Sequence, residues 1–230
     1  MAQPPSSPPE LQPPFISISG LSNFRDIGGW PIPPSSAVRS GILYRGPDLT
    51  SITSTGIAQL HALGIKVIFD LRSTPQITRA GGAREIEGIT RVWCPVFGAE
   101  EYSQEKAGRR YVQYASEGTE GIVQAFLEIL THGAHPAFRP ILQHLATPSP
   151  APCMLHCTTG NNRSGAFIGV LLSLLGVPAE QIAEEYALSE IGLRADRDMV
   201  VERLLRNPKF KAACGEGEDG RRGAERMVGA

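Results

Sequence analysis

Residues Met154-Leu155-His156-Cys157-Thr158-Thr159-Gly160-Asn161-Asn162-Arg163-Ser164-Gly165 constrain this chain more than any other segment. A Pro-rich break, 148–152, precedes a short apolar stretch, Cys153-Met154-Leu155-His156, that reads as a strand. An apolar run, 166–175, follows and reads as a helix. A cysteine and an arginine therefore stand at the two ends of a short loop between strand and helix. Such a loop turns successive backbone N–H groups toward one point, where they lack helical partners and favour an anion. Gly160 removes the side chain at mid-loop and tolerates unusual dihedrals. Arg163 adds a fork of donors that can grip two oxygens. The layout predicts a cradle for phosphate or another tetrahedral anion, with a thiol in its floor.

The same residues suggest a chemistry. A free cysteine ionises near pH ~8.5, and a helix N-terminus with a nearby guanidinium lowers that value. Cys157 is the candidate nucleophile and Arg163 the candidate clamp on a transferring phosphoryl group. Thr158, Thr159, Gly160, Asn161 and Asn162 offer their backbone to the anion, and Ser164 can donate toward the sulfur. His156 is expected to orient the loop through its ring rather than to deliver a proton. The reaction would run in two steps, with a phosphocysteine formed and then hydrolysed by water.

Composition narrows the alternatives. The 230 residues fit one large domain or two small ones, and 41% hydrophobic residues allow a full core. A formal net charge of -1 argues against a general nucleic-acid binder. Cys94, Cys153, Cys157 and Cys214 match neither a zinc site nor a dense disulfide framework. The N-terminus lacks the pattern of a secretory signal, and no apolar run is long enough to span a membrane. The expected setting is reducing and cytoplasmic. No metal or cofactor is implied, and no oligomeric state is indicated.

Strand-like and helix-like segments alternate along the chain. Strands are expected at 15–18, 42–45, 65–71, 89–94 and 153–156, and an aromatic turn at 23–30. Helices are expected at 53–63, 122–130, 138–145, 164–175, 179–189 and 194–205, with Gly64 and Gly176-Val177-Pro178 as stops. Residues 72–75 read as a loop, and 98–114 as a polar flap, partly helical. Residues 1–14 read as a disordered lead-in, 15–213 as the domain, and 214–230 as a flexible tail. This order implies an α/β fold with a central, mostly parallel sheet flanked by helices.

Asn23-Phe24-Arg25-Asp26-Ile27-Gly28-Gly29, Arg45, Asp70-Leu71-Arg72-Ser73, the loop His156–Arg163 and Tyr186-Ala187-Leu188-Ser189 together resemble the tyrosine/serine protein phosphatases of bacteria and fungi. The likeness covers about residues 15–206. It implies a cysteine-dependent phosphatase fold with Cys157 as nucleophile and Arg163 as clamp. Its substrates would be a phosphorylated protein or a small-molecule phosphate ester. Arg25 and Asp26 would build the entrance, brace the loop or simply form a turn.

One departure stands out. Many relatives carry Lys-Asp where this chain has Asn161-Asn162, and that aspartate is their proposed general acid. Asn162 cannot protonate a leaving group, and Asn161 brings no charge, which weakens a phosphoinositide preference. Asp70, at a strand end where α/β sites gather, is the leading replacement acid; a salt bridge with Arg72 or Arg163 is the alternative. Glu100, Glu101 and Glu105 close over the substrate or are merely solvated. Arg39, Arg45 and Arg72 add positive field, with Arg72 foremost, and Arg109-Arg110 meets an acidic substrate or the solvent. Cys153 is a buried thiol or a disulfide partner of Cys157. Three other functions stay open: a non-phosphatase enzyme using the same anion pocket, a catalytically weak phospho-ligand binder, and a sulfur-transfer enzyme.

Overall fold

The computed structural model describes residues 11–229. The expected lead-in therefore lies, up to residue 10, outside the described residues. The central sheet has five strands in the order β1 (Arg25–Asp26), β4 (Leu43–Gly46), β7 (Cys153–His156), β5 (Val67–Asp70) and β6 (Thr90–Trp93). β4, β7, β5 and β6 run parallel, and β1 adds an antiparallel edge. A small separate hairpin pairs β2 (Pro31–Ile32) with β3 (Ser36–Ala37). The stretch 15–18 makes only isolated bridges, Phe15 to Arg25 and Ile18 to Leu21.

The register of the parallel strands explains their apolar runs. Buried strands covered on both faces need apolar side chains at consecutive positions. Leu43, Phe69, Cys153 and Leu155 point into one core layer, and their neighbours Tyr44, Ile68 and Met154 into the other. The second layer is closed by Leu60 of α1 (Ser54–Ala62). The first is closed by Ile129 of α4 (Glu120–Gly133), Ile141 of α5 (Arg139–Leu145) and Phe167 and Ile168 of α6 (Asn162–Leu174). β7 sits at mid-sheet, so its C-terminal end delivers the cysteine loop to the centre of the molecule.

Two segments differ from the sequence expectation. Residues 72–75 do not form a plain loop: α2 (Thr74–Arg79) starts within them. Gln76 Oε1 accepts from the Ser73 N–H at 3.2 Å, and Pro75 fits the first turn. The polar flap is helical over most of its length, a 3₁₀ turn at Ala99–Tyr102 leading into α3 (Gln104–Ala115).

The C-terminal half continues with α7 (Ala179–Gly192), α8 (Arg197–Leu205), α9 (Pro208–Cys214) and α10 (Gly217–Gly229). Within the expected flexible tail, 214–230, lies the packed helix α10. Its four glycines lower helix propensity, which is why the sequence reads as loose. Packing overrides that: Ala224 and Val228 are buried against Val200, Val201 and Phe210. Arg226 Nε donates to Ala115 O at 2.6 Å. Gly223 allows the close approach, since a Cβ there would stand 3.2 Å from that of Ala115.

Ending the chain after Cys214 would strip the cover from this third core. The expected result is a lower urea midpoint. Phe210→Ala, which empties a fully buried site, should cost about 3–5 kcal/mol by the same measurement. An unchanged midpoint in both variants would show that α10 adds no stability.

Candidate active site

The loop between β7 and α6 is shaped from behind. Gly160 has φ +71°, and a Cβ there would lie 2.3 Å from Gly46 O, so only glycine fits. When the loop N–H groups turn forward, its carbonyls turn back into the protein and need donors. Arg45, fully buried, supplies them: Nη2 donates to Gly160 O at 2.6 Å and to Asn161 O at 2.8 Å. Asn23 Nδ2 donates to Thr159 O at 3.1 Å, and the Asp48 N–H to Thr158 O at 3.1 Å.

Glu185 on α7 compensates the arginines. Its carboxylate accepts from Arg25 Nε at 2.8 Å and from Arg45 Nη1 at 2.5 Å, with all three side chains buried. Arg25 also donates to Ser189 Oγ at 2.9 Å. Burial, with Arg45 alongside, pushes the Arg25 guanidinium down to about 9 against the pull of Glu185, so it stays charged at neutral pH.

In front of the loop, Cys157 lies in the floor and is 2% exposed. Burial alone would raise its thiol. Arg163, the Ser164 hydroxyl and the N–H groups of Ser164 and Gly160 outweigh that and bring it below the ordinary cysteine value. Cys94 and Cys153 lack such partners in the same measure, and burial pushes both up to about 12. All four cysteines are free thiols, Cys153 being packed in the core. Only one thiol of the buried three is thus tuned toward the nucleophilic form.

Arg163 donates to three neutral oxygens: Gln76 Oε1, Thr158 Oγ1 at 3.1 Å and Leu71 O at 3.4 Å. Its charge is therefore left for an incoming anion. The thiolate of Cys157 holds it above the ordinary arginine value, against burial. Cys157, Thr158, Thr159, Asn161, Asn162 and Arg163 all line one cleft of about 1060 Å³. Gly160 is buried, its carbonyl held by Arg45 and its N–H on the Cys157 side. The His156 ring meets Cys157 O at 3.0 Å from Nδ1, and Nε2 lies 3.7 Å from Asp70. Burial lowers His156, which favours the neutral ring.

Asp70 does not stand as a general acid. It is fully buried beneath the loop and accepts from Arg72 Nε at 2.9 Å and from Arg91 Nη2 at 2.9 Å. Burial would raise its carboxyl, but the Arg72 guanidinium, hydrogen-bonded to it, holds it well below the usual carboxylate range. A group so easily ionised has no proton to give near neutrality. Arg72 is spent on Asp70 and is 3.7 Å from Asp48, so it too is an anchor rather than a phosphate ligand.

Asp26 is likewise a turn-former. Its oxygens accept from Gly28 N at 2.8 Å and Gly41 N at 2.7 Å, away from the cleft. Arg45 works behind the loop, and Arg39 is exposed outside the cleft. Arg110 faces the cleft, stacked on Phe97 with its guanidinium 4.3 Å from the ring centroid, while Arg109 pairs with Glu128 on the surface. Glu101 is buried and pairs with Lys106 and Arg110; Glu100 and Glu105 are exposed.

The sequence model of the tyrosine phosphatase family matches residues 16–225. This chain is a member of the tyrosine phosphatase family. The triple specificity protein phosphatase PtpB of Mycobacterium tuberculosis is 36% identical over 72 residues, 31% of this chain and 25% of that protein. A tyrosine-protein phosphatase of Nostoc commune is 26% identical over 161 residues, 67% of this chain and 50% of that protein. The chain thus spans a half or less of these relatives' length. The solved structure of P. aeruginosa TpbA with phosphotyrosine is 16% identical, covers 65% of this chain and 70% of its own, and superposes at TM-score 0.31.

Within the family frame, several site residues escape a reading of the sequence. Glu185 sits one position before a motif segment, and its charge looks like one more solvated helix residue. Gln76 was detectable through its spacing from Ser73. Asp48, Tyr102 and Tyr114 carry no local signal, yet all line the cleft. Asn162, where many relatives carry the acid, meets the hydroxyls of Tyr186, at 3.2 Å, and Tyr114.

Three outcomes follow. Glu185→Ala leaves two buried guanidiniums uncompensated and should cost about 3–5 kcal/mol in urea unfolding, with Glu185→Gln in between. Iodoacetamide should alkylate Cys157 with a pH midpoint below that of free cysteine, and Ser164→Ala should shift this midpoint upward. Asp70 has its carboxyl depressed on folding, so its stabilisation is present above about pH 4 and lost as pH falls. Asp70→Asn should therefore be less stable at pH 7 and show a flatter loss toward acid; equal acid slopes would refute the anchor role.

Proposed function

We propose that the protein hydrolyses phosphate monoesters, phosphotyrosine-like esters foremost, through a phosphocysteine intermediate. The observation that carries this is the sidedness of the loop. Arginine charge and loop N–H groups face the Cys157 sulfur, while the carboxylates that hold the fold lie behind. In this reading the Cys157 thiolate attacks phosphorus, the alkoxide or phenoxide leaves with a proton, and Arg163 with the loop N–H groups holds the transferring oxygens. Water then cleaves the S–P bond and the thiolate returns.

Aryl esters are favoured because the loop itself carries Asn162 in place of an acid. A phenoxide leaves without much protonation, an alkoxide does not. Asp48 is the carboxylate best placed to supply a proton. It lines the same cleft, and its N–H is bonded to Thr158 O. This role passes to it from Asp70. The neutral Asn162 also favours a second reading, capture of a phosphorylated ligand with little turnover.

Rapid-mixing hydrolysis of p-nitrophenyl phosphate tests the assignment. Wild type should release a burst of p-nitrophenol equal to enzyme, and Cys157→Ser should release none. Asp48→Asn should lower turnover of an alkyl phosphate by about 10²-fold and of the aryl ester far less. No burst from folded wild type, with phosphotyrosine binding retained, would give the second reading. An Asp48→Asn variant with unchanged alkyl turnover would remove Asp48 from the mechanism.

A further inference from the structure

The cleft is much larger than a phosphate, and its charge is lopsided. Its cations are Arg79, Arg110, Arg163, Arg203, Arg206 and Lys209, against two carboxylates, Asp48 and Glu202. Both carboxylates are engaged, Asp48 beside Arg72 and Glu202 with Arg221 at 3.1 Å. A chain with net charge -1 has thus gathered an excess of positive charge in one place.

Three of these cations belong to neither the phosphate loop nor a structural pair. Arg79 ends α2, the helix whose Gln76 holds Arg163. Arg203 and Arg206 lie three apart, on one side of the end of α8. All three are exposed, and no ion pair holds any of them among the described residues.

The two lips meet around one residue. Tyr111 OH accepts from Asn207 Nδ2 at 2.7 Å, which ties the corner between α8 and α9 to α3. Arg79 and Tyr111 line the same cleft. Lys209 fixes the same corner by donating to Tyr102 O.

We infer that Arg79, Arg203 and Arg206 form a second anion subsite beside the phosphate loop, which selects phosphopeptides with acidic residues flanking the phosphorylated side chain. The inference rests on the phosphate-ester reading of the Cys157 loop. The chemistry points to a peptide rather than to a ring bearing neighbouring phosphates. Neighbouring phosphates would need cations in the loop itself, where Asn161 and Asn162 are neutral. Here the uncommitted cations stand on the lips instead. The walls between are apolar or aromatic, with Tyr111, Met199 and Leu204 suited to a peptide's side chains.

The experiment compares a phosphotyrosyl peptide with glutamates on both flanks, its alanine counterpart, a short-chain phosphatidylinositol bisphosphate, and p-nitrophenyl phosphate. Wild type and Arg79→Gln/Arg203→Gln/Arg206→Gln are assayed for kcat/KM. Each is also titrated, in its Cys157→Ser background, for Kd by fluorescence anisotropy. The acidic peptide should exceed the neutral one by about tenfold in both quantities at low salt. The preference should shrink as salt rises and vanish in the triple variant, with p-nitrophenyl phosphate turnover unchanged.

Absent turnover on p-nitrophenyl phosphate would overturn the phosphatase reading, while the Kd comparison would still decide the subsite. Equal Kd for the two peptides, or a preference that survives the triple variant, would overturn the subsite. So would a bisphosphate lipid that binds more tightly than the acidic peptide and loses that affinity in the triple variant.

Discussion

Everything at this site depends on how the backs of the loop peptides are satisfied. An anion cradle made of N–H groups has its carbonyls on the other side by construction, and here that other side is buried. Arg45 caps Gly160 and Asn161 from within the core. A buried guanidinium is itself costly unless paired. Glu185 supplies the pair and also holds Arg25, which anchors the edge strand β1. The same carboxylate thus links an edge strand, a central strand, the loop and α7. The polar cluster fixes one geometry where an apolar core would permit several, because each of its members has few alternatives that leave no unpaired group.

A second brace holds the other flank. Asp70 ends β5 and receives Arg72 and Arg91, while His156, at the end of β7, stands beside it. β5 and β7 pair through Asp70 and His156, so this brace ties together the two strands that frame the loop. α2 then leaves from the same strand and returns Gln76 to Arg163. Gln76 keeps the guanidinium extended over the loop without neutralising it, since an amide oxygen accepts but carries no charge. A carboxylate at this position would compete with the substrate anion for Arg163.

The sheet and the loop were legible in the sequence because each has a local cause. Runs such as Val67–Asp70 and Cys153–His156 are short, apolar and bounded by Gly or Pro, and the cysteine, glycine and arginine of the loop are spaced by the geometry of one turn. What was not legible depends on distance along the chain. Asp70 as acid and Asp70 as anchor give the same sequence, and only the arrival of Arg91 from β6 separates them. Glu185 becomes central because α7 crosses behind the loop. α10 looked loose for its glycines, yet Gly223 is what lets it lie on α3. Gln76 is the intermediate case, its helix announced by Ser73 and Pro75 but its bond to Arg163 a matter of tertiary placement.

The arrangement also separates the two tasks that charge performs here. Carboxylates that compensate buried arginines, Glu185 and Asp70, sit behind the loop, where their fields on the sulfur are opposed by the guanidiniums they bind. Arg163 in front is bonded to neutral oxygens instead, so its field falls on the thiol and on whatever anion enters. That separation accounts for Cys157 being lowered at full burial, whereas burial, with Asp70 nearby, raises Cys94. It also explains how the loop tolerates Asn161 and Asn162. The positive field on the sulfur comes from Arg163 and from the helix N-terminus, and both are independent of those two side chains. In the proposed reaction, what the asparagines change is the proton supply to the leaving group, which the cleft wall would have to meet.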